Sequence, residues 1–188
     1  MSERPYHHGD LRVALLDAAA GVIEESGPAA VTLRDLARRA GVSHAAPAHH
    51  FGDRAGLMTA LATEGFTRLA AAVEEVGPLS DLRQAGIAYV AFAIGDRARF
   101  EVMFRPELLH RDDSDLQAAQ ARAMAALRAA VDGWSAERGD DPETAGVAAW
   151  SLVHGFATLW LQGVLPPGLG ADAEAAAGAV AGVLTGSD

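Results

Sequence analysis

The sequence predicts an all-α protein in two parts, a small N-terminal unit built on a helix-turn-helix and a larger helical unit after it. Three observations lead there. Apolar residues recur at helical spacing through almost every segment. Proline and glycine fall between these periodic runs and not inside short alternating ones. Charge is divided unevenly: residues 1–56 hold six Arg against seven acids and five of the seven histidines, while the remainder holds nine Arg against eighteen acids.

The elements follow in order. Leu11, Leu15, Ala18 and Val22, widened by Leu16, Ala19 and Ile23, form the stripe of a first helix from about Asp10 to Ser26, ended by Gly27-Pro28. Thr32 is an N-cap with Asp35 three residues on, and Leu33, Leu36, Ala37 and Ala40 give a helix of two turns. Gly41 suits a left-handed C-terminal position. Ser43 is expected to cap a third short helix that runs to about His50. Pro47, near its fourth position, is expected to cost one backbone hydrogen bond. Asp53 caps a fourth helix reaching Val76, and Gly77-Pro78 stops it. Short helices flanking a glycine turn make the helix-turn-helix pattern. Five more helices are expected at about 80–95, 97–104, 114–137, 142–164 and 172–185.

Composition narrows the chemistry. The chain has 188 residues, half of them apolar, enough for a sizeable core. It has no cysteine, so disulfides, thiolate metal sites and cysteine nucleophiles are absent. All fifteen basic residues are arginine. That removes the phosphate-loop lysine and any Schiff-base mechanism. A net charge of −10 argues against a general polyanion binder. The N-terminus has no apolar leader, and no stretch approaches the ~20 apolar residues of a membrane span, so a cytoplasmic location without membrane contact is expected.

The stretch "AGVSHAAPAHHFGDRAGL", residues 40–57, raises chemical readings that spacing disfavours. His44, His49 and His50 are separated by five, six and one residues, whereas a zinc pair on a helix sits at i, i+4. No metal or cofactor is expected. His110-Arg111-Asp112 and Gly168-x-Gly170-x-x-Ala173 imitate a kinase loop and a dinucleotide fingerprint, but neither has its required context. No enzyme activity is therefore expected. What remains is a surface. Small residues at the start of a reading helix, Ala45 and Ala46, let it sit deep in a DNA groove and touch thymine methyls. His49, His50 and Arg54 supply donors toward phosphate.

These residues match a known family. Residues 9–69 resemble the DNA-binding domain of TetR-type bacterial regulators, through "VTLRDLARRAGVSHAAPAHHFGDRAGLM" with Thr32, Ala37, Gly41-Val42-Ser43, Phe51 and Arg54. "YHHGDLR" and "WSLVHGFATLW" are similar to motifs of one subgroup with a Trp-His-Gly signature. The resemblance implies a reading motif at about 32–51. Thr32 and Arg34 would touch phosphate, Ser43, His44, Ala45 and Ala46 would face the groove, and His49, His50 and Arg54 would lie on the backbone. Ala48 stands where the family usually has tyrosine, which removes a ring and a hydroxyl from the phosphate strand. The N-terminal arm (Arg4, Tyr6, His7, His8) is a candidate to compensate.

For residues 78–186 the resemblance implies a helical ligand-binding and dimerisation domain. The large apolar residues available to a pocket include Phe92, Met103, Phe104, Met124, Leu127, Trp134, Trp150, Phe156 and Trp160, with His154 as the polar candidate. The implied partners are a double-stranded DNA operator, a small apolar or amphipathic effector, and a second copy joined through the last two helices. Two alternatives stay open: a ligand-binding dimer whose DNA binding is weak or lost, and a helical enzyme using His154 as a base.

Overall fold

The computed structural model describes residues 8–77 and 82–185. Helices run α1 (His8–Ser26), α2 (Leu33–Arg39), α3 (Ala46–Phe51), α4 (Arg54–Val76), α5 (Leu82–Gly95), α6 (Arg97–Met103), α7 (Ser114–Arg138), α8 (Pro142–Leu161) and α9 (Ala173–Thr185), with short 3-10 turns at Pro28–Ala30, Pro106–Leu108 and Pro167–Leu169. Among the described residues there is no strand.

The chain divides into two compact units. The first comprises residues 1–65 together with 98–117, and the second 66–97 together with 118–188. Segment 98–117 thus joins the first unit, although it lies far from the rest of that unit in sequence.

In the first unit, α1 packs against α2 and α3. Leu15, Leu16, Ile23, Val31, Leu36, Leu57 and Leu61 are all shut away from solvent in its core. Arg99 of α6 is also buried, at 4 % exposure. It reaches Glu64 of α4 with Nε at 3.1 Å and a terminal nitrogen at 2.9 Å, and Asp17 of α1 at 3.4 Å. A buried charge needs such partners, and these tie three helices to one guanidinium. Met103 fills the space left by Gly65, where a side chain would collide with its thioether.

In the second unit, α5 is the central helix, packed on α8 and α9. Gly86 allows the approach: a Cβ there would stand 3.2 Å from Val153 of α8. Arg83 donates to the Gly178 carbonyl of α9 (2.9 Å).

Helix α8 departs from expectation. An 18-residue window of this 20-residue helix has a mean hydropathy of 1.2, and the helix is long and apolar enough by length and composition to cross a membrane. Val147, Leu152, Val153, Phe156, Leu159 and Leu161 supply most of that average, interspersed with alanine, glycine and polar residues. One side of α8 packs on α5 and α9, and only 22 % of its apolar window is buried within the chain.

Candidate nucleic-acid interface and regulatory cavity

The first candidate site is assembled from α2, the turn after it, and α3. Thr32 caps α2 as its hydroxyl accepts from the Asp35 N–H (3.2 Å). The Asp35 carboxylate in turn accepts from Arg38 and, at 2.8 Å, from Arg39; Arg38 first and then Arg39 hold it below the usual carboxylate range. Arg38 and Arg39 are thereby neutralised. Arg34, exposed on the same helix, has no acidic partner among the described residues. It is the α2 cation available to an anion outside the chain.

Helix α2 ends in a Schellman turn. The Val42 N–H donates to the Ala37 carbonyl (3.0 Å), the Gly41 N–H donates to Arg38 (3.3 Å), and Gly41 has φ +66°. A non-glycine residue there would carry a left-handed backbone penalty of ~1–2 kcal/mol.

Helix α3 begins two residues later than its sequence suggests. Ser43 is not its cap; Ala45 is, without a side-chain bond. Pro47 sets this boundary, since it sits in the first helical turn, where a missing N–H costs nothing. No backbone bond is lost there, contrary to expectation, and the ring is buried under the helix. Ser43, His44 and Ala45 therefore lie exposed in the turn, with Ala46 half-buried at the helix start. Ala48 and His49 are exposed and His50 half-buried, and the His49 and His50 rings stand edge to face at 5.9 Å. No carboxylate occurs from Val42 to Phe51 in a chain with 25 acids. The exposed edge of α3 is therefore free of side chains that would repel phosphate.

Arg54 is the main correction. Expected on a DNA backbone, its guanidinium turns inward, donating to the Val31 carbonyl (3.1 Å) and the Pro28 carbonyl (2.7 Å). It fixes the 3-10 turn that leads into α2. The α3–α4 junction is held from both sides. The Arg12 guanidinium lies 5.6 Å over the Phe51 ring. Asp53 caps α4 by accepting from the Gly56 N–H (2.8 Å) and meets His110 Nε2 at 3.0 Å; these contacts, the Gly56 amide first, hold its carboxyl low. The candidate N-terminal arm lies outside the described residues, apart from the backbone of His8.

The second candidate site is a cavity of about 190 Å³ within the second unit, walled by α5, α7 and α8. Met124, Leu127 and Trp150 line it, beside Leu82, Val131 and Val153. Other expected residues lie elsewhere. Met103 and Phe104 belong to the first unit, at Gly65 and at the Phe100 ring respectively. Trp134 packs against Val131 and Ala149 instead, and Phe92 is absent from the walls.

His154 stands behind the wall, and its partner is Tyr89. The Trp150 indole N–H donates to the Tyr89 hydroxyl (3.3 Å), which lies 2.9 Å from His154 Nδ1. Since the hydroxyl accepts from Trp150, its own proton is directed to His154, whose Nδ1 carries a lone pair when neutral. Burial pushes the His154 imidazole below its ordinary 6.5 and the Tyr89 phenol upward. The one signal in the sequence was a single hydroxyl within the apolar run "AGIAYVAFAIG".

A short capped helix, a glycine turn and a second short helix with an acid-free edge define the first unit as a helix-turn-helix module, carried by a chain whose second unit encloses an apolar cavity. Comparison with known proteins makes the class specific. Residues 15–61 match the family model "Bacterial regulatory proteins, tetR family", and residues 82–184 match "Tetracyclin repressor-like, C-terminal domain". The second match covers more than half of the chain, and the protein belongs to the TetR family.

Among solved structures, a protein of unknown function from Rhodococcus sp. RHA1 is 35 % identical with a TM-score of 0.78, covering 97 % of each chain. The TetR family transcriptional regulator PfmR from Thermus thermophilus is 25 % identical with a TM-score of 0.71, over 92 % of this chain and 97 % of its own. A curated relative, the HTH-type transcriptional regulator BetI of Rhizobium meliloti (strain 1021), is 49 % identical over 49 residues. That match covers 26 % of this chain and 24 % of BetI, so the chain spans about a quarter of the relative's length.

Proposed function

We propose that the protein is a homodimeric transcriptional repressor that binds a palindromic operator and is released by a small-molecule effector. In this reading residues 9–69 bind DNA and residues 78–186 bind ligand and dimerise, within the Trp-His-Gly subgroup that "WSLVHGFATLW" suggests. The observation that carries it is the acid-free edge of exposed Ser43, His44 and Ala45 with half-buried Ala46, set by a Schellman turn and a buried proline, beside Arg34, which has no acidic partner among the described residues. The first helix of a helix-turn-helix crosses the phosphate backbone and the second enters the major groove by its N-terminal end. Thr32 and Arg34 would take the first role, and residues 43–46 the second, with His49 and His50 toward the phosphates. Arg54 acts here by holding the turn before α2.

The dimer is supported by apolar stripes that the chain leaves uncovered. Val147 (56 % exposed) and Leu159 (42 %) lie on α8, and Ala175, Ala179 and Val183 (82 %) recur at four-residue spacing along α9. Two such helices from each of two chains make a four-helix interface, and a two-fold axis fits a palindrome with half-sites ~34–36 Å apart. A cytoplasmic location follows from that role.

Selection from a random duplex pool tests the reading. It should recover an inverted repeat with half-sites about one helical turn apart or a multiple of it, on a dimeric protein. A pool that stays random at low salt would contradict it. One observation favours a second reading, a ligand-binding dimer with weak DNA binding. Ala48, exposed on α3, offers only a methyl group where the family usually has tyrosine. Under that reading Ala48→Tyr would restore enrichment.

A further inference from the structure

The cavity of the second unit carries more than its apolarity. Its walls hold two charged residues, Arg128 of α7 and Glu143 of α8. They form no ion pair with each other, and neither has a partner among the described residues. Glu143 is accounted for locally: it lies in the first turn of α8, where the helix dipole favours a negative charge. Arg128 has no such explanation.

Acids outnumber cations by ten, and three arginines of the same unit are engaged: Arg68 with Asp96 at 2.8 Å, Arg122 with Glu74, and Arg83 with the Gly178 carbonyl. Arg97, Arg34 and Arg111 likewise show no acidic partner among the described residues, but of these four Arg128 is the one that lines the cavity. Arg128 is exposed at the rim, with Leu127 and Trp150 among the apolar walls beside it. The indole N–H of Trp150 is already given to Tyr89. A ligand carboxylate would therefore find Arg128 at the rim, while the tail met apolar walls.

We propose that this cavity takes a small amphipathic carboxylic acid, its carboxylate paired with Arg128 and its apolar body lying against Trp150, Leu127 and Val153. The guanidinium matches a carboxylate with two parallel N–H donors. The volume, about 190 Å³, lies below the ~300–1,000 Å³ of drug-sized sites, which points to a ligand with one ring or a short chain. This rests on the effector-binding reading of the second unit and adds the charge and size of what it binds.

The test uses three matched probes on the full-length protein, 3-phenylpropanoate, 3-phenylpropan-1-ol and 3-phenylpropylamine, with affinities measured by calorimetry. The acid should bind about five- to tenfold more tightly than the alcohol, as expected for one partly exposed charge-assisted contact, and the amine should bind least. Arg128→Gln should remove the acid's advantage while leaving the alcohol unchanged. Equal binding of acid and alcohol, preference for the amine, or a preference that survives Arg128→Gln would each overturn the assignment while leaving the cavity as a binding site. Failure of all three probes to bind would overturn the effector-binding reading as well.

Discussion

Replacing Arg99 by methionine should be among the most damaging single changes to the first unit that leave the reading surface untouched. The guanidinium is 5 % exposed; its partners Glu64 and Asp17 are 26 % and 64 % exposed. Methionine fills much of the volume, so the cost is electrostatic and not a cavity. Breaking a fully buried pair by removing one partner costs ~3–5 kcal/mol. Glu64 keeps a quarter of its surface wet, and Asp17 rehydrates almost completely, which reduces the figure to about 2–3 kcal/mol. For a chain of 188 residues, at ~2–4 °C per kcal/mol, the melting midpoint should fall by about 4–12 °C.

Scanning calorimetry reads this, and the double variant Arg99→Met/Glu64→Gln identifies the cause. Neutralising the stranded carboxylate should recover at least ~1 kcal/mol relative to additivity, as expected for residues in direct contact. A midpoint within 1–2 °C of wild type (roughly 0.5 kcal/mol or less), or strictly additive losses, would show that the Arg99 contacts do not hold α6 to α1 and α4.

Three further outcomes follow from the same geometry. Gly56→Ala should cost about 1–3 kcal/mol and abolish specific DNA retention in a filter assay, because a Cβ there overlaps the Phe51 carbonyl and forces α3 from α4; Gly21→Ala, with open space at its Cβ, should instead stabilise by about 0.5–1 kcal/mol. For His154 the folded imidazole titrates below its ordinary 6.5, so the unfolded chain binds the proton first. Stability should fall as pH drops from about 6.5 toward the folded value and then level off; chemical denaturation across pH 7.5 to 5 should show this limb, and His154→Gln should flatten it. With so few cations at the heads, the slope of log affinity against log salt should correspond to fewer than about six counterions per protomer, and a steeper slope in an anisotropy titration would contradict the charge reading.

Helix ends were legible where glycine and proline punctuate the chain. Gly27, Gly41 and Gly77 each adopt the positive φ that closes a helix, and most boundaries fall within a few residues of the periodic pattern. The start of α3 was misread because Pro47 was placed by counting from Ser43, whereas its own geometry dictates the boundary. Arg54 was misassigned for a different reason: its partners, Val31 and Pro28, are 23 and 26 residues away in sequence, and local spacing gives no sign of a backbone carbonyl. The same holds for Tyr89 and His154, 65 residues apart. Apolar periodicity also cannot separate a residue that fills space from one that lines it. Met103 and Met124 look alike on a helical pattern, yet one fills the gap at Gly65 and the other borders a void.

The most direct test of the central claim is a gel shift of the purified protein on the DNA upstream of its own coding region, with Arg34→Ala and His44→Ala alongside. A discrete retarded band, weakened by both substitutions and unaffected by a sequence-scrambled competitor, is the predicted result. No retention at low salt, or retention that ignores both substitutions, would mean that the edge formed by α2 and α3 is not a DNA-reading surface.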